Sequence, residues 1–319
     1  MSAAPAKVGV ISNPASGHNR DQFDAIRARL EATPGLTHVV TRSPDEIDEA
    51  LAELARNGVG VLAINGGDGT NSAILGRVLE RRPFANSPLI ALLPAGTANM
   101  NAGDVGIRGS LAKAVDRFCT WCTSDRTATS TEQRALLKVE RANETPRYTM
   151  FIGAGAVIHG TEYAHENIHS RALRDDFSVA LGTVRTVWGV LRDDPRFNKH
   201  VTIDLALDDN APRRHDTLIL AVSTLRRLAF GMRPFWSDSP GAVRVTVMDQ
   251  GCTKFARTFF SIARGKPNRN AVPASGYHSY NADTVALNLS GKLNLDGEII
   301  SVDGDTHISA TEPFEFLTL

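Results

Sequence analysis

The fold is decided by the stretch Ala63-Ile64-Asn65-Gly66-Gly67-Asp68-Gly69-Thr70. Residues 59–64 are apolar and β-branched, which predicts a buried strand, and residues 72–80 have a helical pattern. Glycines at a strand-to-helix turn let backbone amides approach an anion closely. The unpaired amides at the start of a helix carry partial positive charge. The stretch therefore predicts a phosphate site between a strand and a helix.

Asp68 is the unusual member of this turn, because a carboxylate repels a bare phosphate. It could hold a magnesium ion or accept a proton from an attacking hydroxyl group. The alternative is an Asp-Gly turn that only caps a helix. The turn alone leaves these interpretations open.

Strand and helix patterns alternate over the first third of the chain, which predicts a parallel sheet covered by helices. In such sheets, ligands bind at the carboxyl ends of the strands. Three loops of small and polar residues follow predicted strands, and their convergence favours one binding site. The predicted strands are 7–12, 37–41, 59–64 and 88–93, the helices are 22–32 and 45–57, and the loops are 13–18, 65–71 and 94–101.

The pattern changes near residue 130, after a predicted linker at 127–131. Most later segments have strand patterns, which predicts a second, largely antiparallel β domain. Two helices are predicted within it, at about 175–191 and 253–264.

Composition excludes some classes of protein. The 35 basic and 35 acidic residues give a net charge of zero, which argues against nucleic-acid binding by the chain as a whole. Three cysteines provide no disulfide framework. The N-terminal residues show no signal-peptide pattern, so we expect a cytoplasmic protein that would meet a membrane peripherally, from the inner face.

Two short motifs suggest other chemistry. His165-Glu-Asn-Ile-His169 matches the His-Glu-x-x-His pattern of zinc proteases, although its polar surroundings suit a solvated helix face. Cys119 and Cys122 have the spacing of a redox or zinc half-site, but no second pair completes it. No P-loop motif occurs.

Four motifs together resemble the diacylglycerol kinase catalytic-domain superfamily of soluble lipid kinases, which includes diacylglycerol, sphingosine and ceramide kinases. They are Asn13-Pro-Ala-Ser-Gly17, Gly66-Gly-Asp-Gly-Thr70, Pro94-Ala-Gly-Thr-Ala-Asn99 and Leu295-Asp-Gly-Glu298. NAD kinases share the glycine turn, whereas the last motif favours lipid kinases.

The resemblance implies an α/β fold, with a doubly wound parallel-sheet domain that binds ATP and Mg²⁺. It also implies a C-terminal β-sandwich-like domain with inserted helices for the lipid. The last strands would return to the first domain. We therefore expect an ATP-binding domain over 1–127, completed by 303–319, and a lipid-substrate domain over 128–302.

Site residues follow from the resemblance position by position. Asp68 would coordinate Mg²⁺ or help to activate the acceptor, and Glu298, with Asp296 beside it, would accept the proton of the lipid hydroxyl. The alternative for these last two is a plain β-turn between strands. The nucleotide would contact Ser16, Gly17, Thr41, Gly66, Gly67, Asp68, Gly69, Thr70, Asn71, Ser72 and Thr97.

Some residues depart from the family pattern. Asn71 follows Thr70 directly, and Met100 stands where many members have Asp, with Asp104 nearby. Residues 237–241 do not reproduce the Asp-Gly turn of a structural magnesium site found in some members. None of these departures affects the predicted catalytic carboxylates.

The sequence thus predicts an ATP-dependent lipid kinase that phosphorylates diacylglycerol or a ceramide or sphingoid lipid at a membrane surface. The alternatives are an NAD kinase and a non-catalytic nucleotide- or lipid-binding protein. The loop 225–236 mixes arginines with aromatic residues, which suits either an anionic membrane interface or a core. The sequence leaves a homodimer open.

Overall fold

The computed structural model describes residues 6–126, 129–168 and 201–319. The chain divides into two compact units: Met1–Arg134 with Pro313–Leu319, and Ala135–Glu312. No helix in the described part of the chain is long and apolar enough to span a membrane.

The first unit contains a six-stranded sheet in the order β2-β1-β3-β4-β15-β5. All neighbouring strands are parallel except β15 and β5. The strands are β1 Lys7–Ser12, β2 Leu36–Val40, β3 Val59–Gly66, β4 Leu89–Pro94, β5 Ser130–Arg134 and β15 Phe314–Thr318. The helices are α1 Asn19–Glu31, α2 Glu46–Arg56, α3 Asp68–Arg81, α4 Met100–Val105 and α5 Leu111–Thr123.

Burial explains why these residues form central strands. Strands β3 and β4 are almost wholly buried, as expected for a parallel sheet covered on both faces. The amphipathic helix α2 turns Ile47, Leu51 and Leu54 inward and ends before Gly58, which has a positive φ of 72°. The predicted parallel-sheet domain is confirmed.

The strand order contains a topological switch point. From the central strand β1, the chain first adds β2 on one side and then β3 on the other. In open α/β sheets, ligands bind at the carboxyl ends of the strands where the order reverses. Here the loops after β1 and β3, residues 13–18 and 67–70, lie at that position.

The edges of the units differ from the sequence-based boundaries at 127 and 303. Ser130 and Thr131, placed in the predicted linker, belong to β5, which pairs with β15. Strand β14 continues to Ala310, so the return to the first sheet starts only at Pro313. Both differences arise from long-range strand pairing, which has no local sequence signal.

The second unit is built on a nine-stranded sheet with the path β12-β11-β10-β8-β13-β14-β6-β7, and β9 pairs with both β10 and β13. The pairs within it are antiparallel. Its strands are β6 Leu137–Glu140, β7 Arg147–Thr149, β8 Phe151–Gly155, β9 Val201–Leu207, β10 Arg213–Ser223, β11 Val243–Asp249, β12 Tyr277–Ala282, β13 Thr284–Leu295 and β14 Glu298–Ala310.

One apolar cluster, drawn from eight of these nine strands, forms the main core of this unit. Its helices are α6 Ala156–Ile168 and α7 Phe255–Ala263, with short 3-10 turns at Ala229–Gly231 and Pro273–Ser275. The predicted sheet-rich C-terminal domain is confirmed, and α7 matches the helix predicted at 253–264. The helix predicted at 175–191 and His169 of the zinc-protease motif lie outside the described residues.

Candidate active site

Three loops meet at the carboxyl edge of the first sheet. The amide of Gly67 donates to Ser16 Oγ at 3.2 Å, which joins the turn after β3 to the loop after β1. The amide of His18 donates to Ala95 O at 2.9 Å, which joins the loop after β1 to the loop after β4. The predicted convergence of the three loops is therefore present in this unit.

An asparagine network holds the loop after β1 against the turn. Asn13 Nδ2 donates to Thr70 Oγ1 at 2.9 Å. The buried Asn19 side chain donates to the carbonyl oxygens of Asn13 and Asn65 at 2.8 and 3.3 Å. Sequence reasoning missed the positioning roles of Asn19 and Asn65, because their partners are distant in the chain.

Glycines allow the loops to approach backbone to backbone. A Cβ atom built on Gly96 would lie 2.6 Å from Gly67 Cα, and one on Gly17 would lie 2.8 Å from Thr97 Oγ1. A side chain at position 96 would require the backbone to move, and one at position 17 would displace the Thr97 hydroxyl group. The sequence predicted Gly17, Gly67 and Thr97 as site residues, and the structure brings them together.

Asp68 binds the loop after β4. Its Oδ2 accepts the amide of Met100 at 3.0 Å and its Oδ1 accepts the amide of Asn101 at 2.9 Å. The carboxylate therefore caps α4, although Asp68 is itself the first residue of α3. Burial raises the pKa of Asp68, and these two backbone hydrogen bonds oppose the rise.

The N-terminus of α3 is open to an anion. Its N-cap, Gly67, has extended backbone and contributes no side-chain hydrogen bond, so the first-turn amides have no side-chain cap. A Cβ atom on Gly69 would meet nothing within 4 Å. This combination of open space, unpaired amides and helix dipole fits a phosphate group.

Buried amide groups near Asp68 also fit a bound metal or ordered water. Asn71 Oδ1 and both polar atoms of the Asn101 side chain are buried and have no hydrogen-bond partner among the described residues. Amide and carboxylate oxygens are suitable Mg²⁺ ligands. The residues around Asp68 are therefore compatible with the predicted metal.

Two further predicted nucleotide contacts lie close to this edge, and both are buried. The amide of Thr41, just after β2, donates to Ser12 O at 2.9 Å. Ser72 lies in the first turns of α3 and is 5% exposed.

Asp104, the acidic residue near Met100, forms a 2.9 Å ion pair with Arg134. Both side chains are buried, so this contact joins α4 to β5.

The predicted acceptor carboxylates lie in the second unit, at the hairpin between β13 and β14. Asp296 and Gly297 have φ values of 48° and 98°, as in a two-residue hairpin turn with positive φ at both positions. Asp296 is buried, and its Oδ2 accepts the amide of Met150 at 2.8 Å. The β-turn alternative is therefore correct for the backbone here, and Asp296 stabilises the turn.

Glu298 differs from Asp296, because its side chain is 66% exposed. Its Oε1 lies 2.8 Å from Arg147 Nη1 on β7. Sequence reasoning missed Arg147, because it lies 151 residues before Glu298, on a strand that is joined to β14 only through β6. Arg147 also lines an open groove of about 560 Å³ together with Arg141, Glu144, Thr145, Ile300 and Ser301.

The surroundings of the two cysteines on α5 indicate a structural role. Cys119 and Cys122 lie on α5 and pack into the core of the first unit. Burial raises the pKa of the Cys122 thiol to about 12, which keeps it protonated and unreactive near neutral pH.

Comparison with known proteins gives the family of the first unit. Residues 7–127 match the model of the diacylglycerol kinase catalytic domain. The resemblance predicted from the four motifs is therefore confirmed, and the N-terminal unit carries a domain of this superfamily.

A protein of Stenotrophomonas maltophilia (strain K279a), named "Probable lipid kinase YegS-like", is 34% identical over 99 residues. The match covers 31% of this chain and 32% of that protein, so the chain spans about a third of the curated relative's length.

Solved structures share the whole fold. A diacylglycerol kinase of Bacillus anthracis str. Sterne has a TM-score of 0.62 at 14% identity, with 98% of this chain and 96% of that chain covered. A second structure from the same organism has a TM-score of 0.65 at 16% identity and the same coverage. At these identities the likeness establishes the fold alone.

The glycine contact gives a stability prediction. Gly96→Ala should destabilise the first unit by about 1–3 kcal/mol, because the new methyl group meets backbone that must shift. Gly103→Ala is the matched control, because a Cβ atom there meets nothing within 4 Å. Removing a helical glycine should stabilise by about 0.5–1 kcal/mol. Urea unfolding of the two variants measures both effects, and equal midpoints would contradict the close loop contact.

Proposed function

We propose that this protein is an ATP-dependent lipid kinase that transfers the γ-phosphate to a hydroxyl group of diacylglycerol or of a ceramide or sphingoid lipid. The observation that carries the proposal is the open N-terminus of α3 at the switch point of the first sheet. The diacylglycerol kinase domain match over residues 7–127 supports the same assignment.

The first-turn amides of α3 would hold the phosphate groups of ATP. Gly69 leaves the space that a phosphate would occupy, and Gly66 leaves room for the Thr70 side chain, since a Cβ atom on Gly66 would lie 2.6 Å from Thr70 Cγ2. Ser16, Gly17 and Thr97 form the adjoining walls. Phosphoryl transfer depends mainly on such positioning and on charge neutralisation.

Asp68 and the neighbouring amide groups would hold Mg²⁺, which when bound neutralises phosphate charge. The carboxylate has lone pairs beyond those that accept the amides of Met100 and Asn101. Its hydrogen bonds fix the orientation of the side chain, so a metal ligand here would be preorganised.

Glu298 would accept the proton of the lipid hydroxyl. An alcohol is a weak nucleophile, and a positioned carboxylate can take its proton as the new bond forms. The exposed carboxylate of Glu298 has access to substrate, whereas the carboxylate of Asp296 is buried in the turn. Arg147 would orient Glu298 through their 2.8 Å contact. We therefore assign proton transfer to Glu298 and a positioning role to Asp296.

Transfer of labelled γ-phosphate from ATP with Mg²⁺ tests the proposal. Diacylglycerol, ceramide and sphingosine in mixed micelles would be compared with NAD in buffer. We expect label in one lipid, with a loss of at least about a hundredfold in Glu298→Gln, as is typical for removal of a general base. Label in NAD alone would replace the proposal with an NAD kinase. ATP binding without any transfer would indicate a non-catalytic binding protein.

Gly69→Ala separates phosphate binding from folding. The added methyl group meets open space in the protein, so the variant should be at least as stable as the wild type. It should nevertheless bind ATP at least about tenfold more weakly, because the methyl group fills the phosphate position. Calorimetry with Gly103→Ala as the control measures this difference. Wild-type affinity in Gly69→Ala would contradict the assigned phosphate site.

We further propose that the second unit meets an anionic membrane surface through a basic–aromatic face, defined as residues 225–236 and 254–272. These two segments contain three and five basic residues, respectively, and no acidic residue, in a chain of net charge zero. A lipid kinase has to reach a substrate that lies in a bilayer, and basic residues beside apolar ones suit an anionic interface.

The described part of this face exposes apolar side chains. Phe230, Phe260 and Val272 are 55%, 42% and 41% exposed. The two segments touch, because the amide of Arg233 donates to Ala263 O at 2.9 Å. Leu225 and Leu228 of the loop are buried. The loop therefore contributes both to the core and to an exposed surface.

Vesicle sedimentation tests the basic–aromatic face. Arg257→Ser with Arg269→Ser should weaken binding to vesicles of phosphatidylcholine and phosphatidylglycerol by roughly 10- to 30-fold, at about 1 kcal/mol for each charge. Phe230→Ser with Phe260→Ser should weaken it further, because both rings are exposed, and thermal unfolding of the variant gives the cost of losing the contact between Phe260 and Phe259. Arg56→Ser on α2 is the control and should bind normally. Equal binding by all variants would refute this surface.

A further inference from the structure

A cluster of two histidines and one aspartate lies in the second unit and has no role in the proposed kinase reaction. His215 on β10, Asp249 at the end of β11 and His278 on β12 come from three neighbouring strands. His215 Nδ1 lies 3.0 Å from Asp249 Oδ1, and His278 Nε2 lies 2.8 Å from Asp249 Oδ2. The imidazole rings are 4.8 Å apart between centroids, edge to face.

We propose that this cluster is a binding site for a divalent transition metal, with Zn²⁺ as the best-matched ion. The three ligand atoms all lie within 4.8 Å of one another. Tetrahedral zinc with bonds near 2.0–2.1 Å needs ligand atoms about 3.3 Å apart, so only small side-chain adjustments are required. Two imidazole nitrogens and one carboxylate oxygen form an established type of zinc ligand set, which leaves one position for water.

The surroundings of the cluster favour a metal. Tyr280 Oη lies 3.2 Å from His278 Nδ1 and would orient that ring with Nε2 towards the ion. His215 is 8% exposed and the side chain of His278 is 12% exposed, whereas the side chain of Asp249 is 25% exposed. The site is thus largely enclosed by protein, and its most exposed side is at the carboxylate of Asp249.

Hydrogen bonding alone does not satisfy this cluster. Asp249 is an acceptor between two imidazoles, and the buried His215 Nε2 has no hydrogen-bond partner among the described residues. Thr217, which pairs with Asp249 across the two strands, is 1% exposed, and its Oγ1 also has no partner in the described part of the chain. Buried polar atoms without partners are rare, and water bound to the ion would provide a partner for Thr217 Oγ1. His215 Nε2 points away from Asp249, so the ion would be bound through Nδ1 of that ring.

The bound ion would join strands that are distant in the chain. Asp249 is separated from His215 by 34 residues and from His278 by 29. Binding to the folded state alone stabilises that state by an amount that grows with the logarithm of the ratio of free ligand to the dissociation constant. The site would therefore stabilise the β12-β11-β10 side of the sheet, whatever the catalytic activity of the protein.

Competition with a chromophoric zinc chelator tests the proposal on the full chain, with Zn²⁺ alone as the probe. We expect one Zn²⁺ per chain in this site and a loss of affinity of at least a hundredfold in Asp249→Asn and His278→Asn. His278→Cys should retain affinity within tenfold, because thiolate is a zinc ligand. His307→Asn, at an exposed position on β14, is the control and should bind like the wild type.

Thermal unfolding with and without Zn²⁺ separates a loss of metal binding from a loss of stability. Zn²⁺ should raise the melting temperature of the wild type and of His278→Cys, but not that of Asp249→Asn. If the cluster is only a hydrogen-bonded array, His278→Asn should have a higher melting temperature than His278→Cys. Zn²⁺ should then change the melting temperature of neither variant. That outcome, or zinc affinity unchanged in Asp249→Asn, overturns the proposal.

Discussion

The backbone contact between Gly67 and Gly96 is the constraint on which the candidate site depends. The turn after β3 and the loop after β4 approach so closely that a Cβ atom on Gly96 would lie 2.6 Å from Gly67 Cα. This contact places Asp68 against the first amides of α4, where its two carboxylate oxygens each accept one hydrogen bond. The turn is thereby held with the N-terminus of α3 open. A rigid, positively polarised helix end at a topological switch point is a suitable phosphate site.

Much of the first unit could be predicted from local patterns. Apolar β-branched runs alternate with helical periodicity, and small residues follow each strand, so the parallel sheet and its binding edge are both evident from the sequence. The capping of α4 by Asp68 could not be predicted, because its partners Met100 and Asn101 lie about 30 residues further along the chain. Local patterns also do not predict the addition of β5 and β15 to the sheet, since their pairing joins the two separate chain segments of the unit.

The second unit shows more strongly what local sequence patterns cannot predict. Alternating patterns predict antiparallel strands but not which strands pair, and the pairing decides which side chains meet. Glu298 therefore has an unforeseen partner in Arg147, and three residues from separate strands form the His215–Asp249–His278 cluster. Asp296 illustrates a different point. The Asp-Gly pair is predicted both as a motif and as a turn, and in the structure the buried aspartate lies in the turn and accepts the amide of Met150.

Hydrogen exchange of the backbone amides tests the central claim most directly, namely that the first turn of α3 binds the phosphates of ATP. With saturating ATP and Mg²⁺, we predict slower exchange in residues 66–72. Exchange should be unchanged in residues 51–56, the C-terminal half of α2, which leads to the opposite edge of the sheet, where β3 begins. Calorimetry on the same sample would establish that ATP is bound. Bound ATP with unchanged exchange in residues 66–72 would contradict the account.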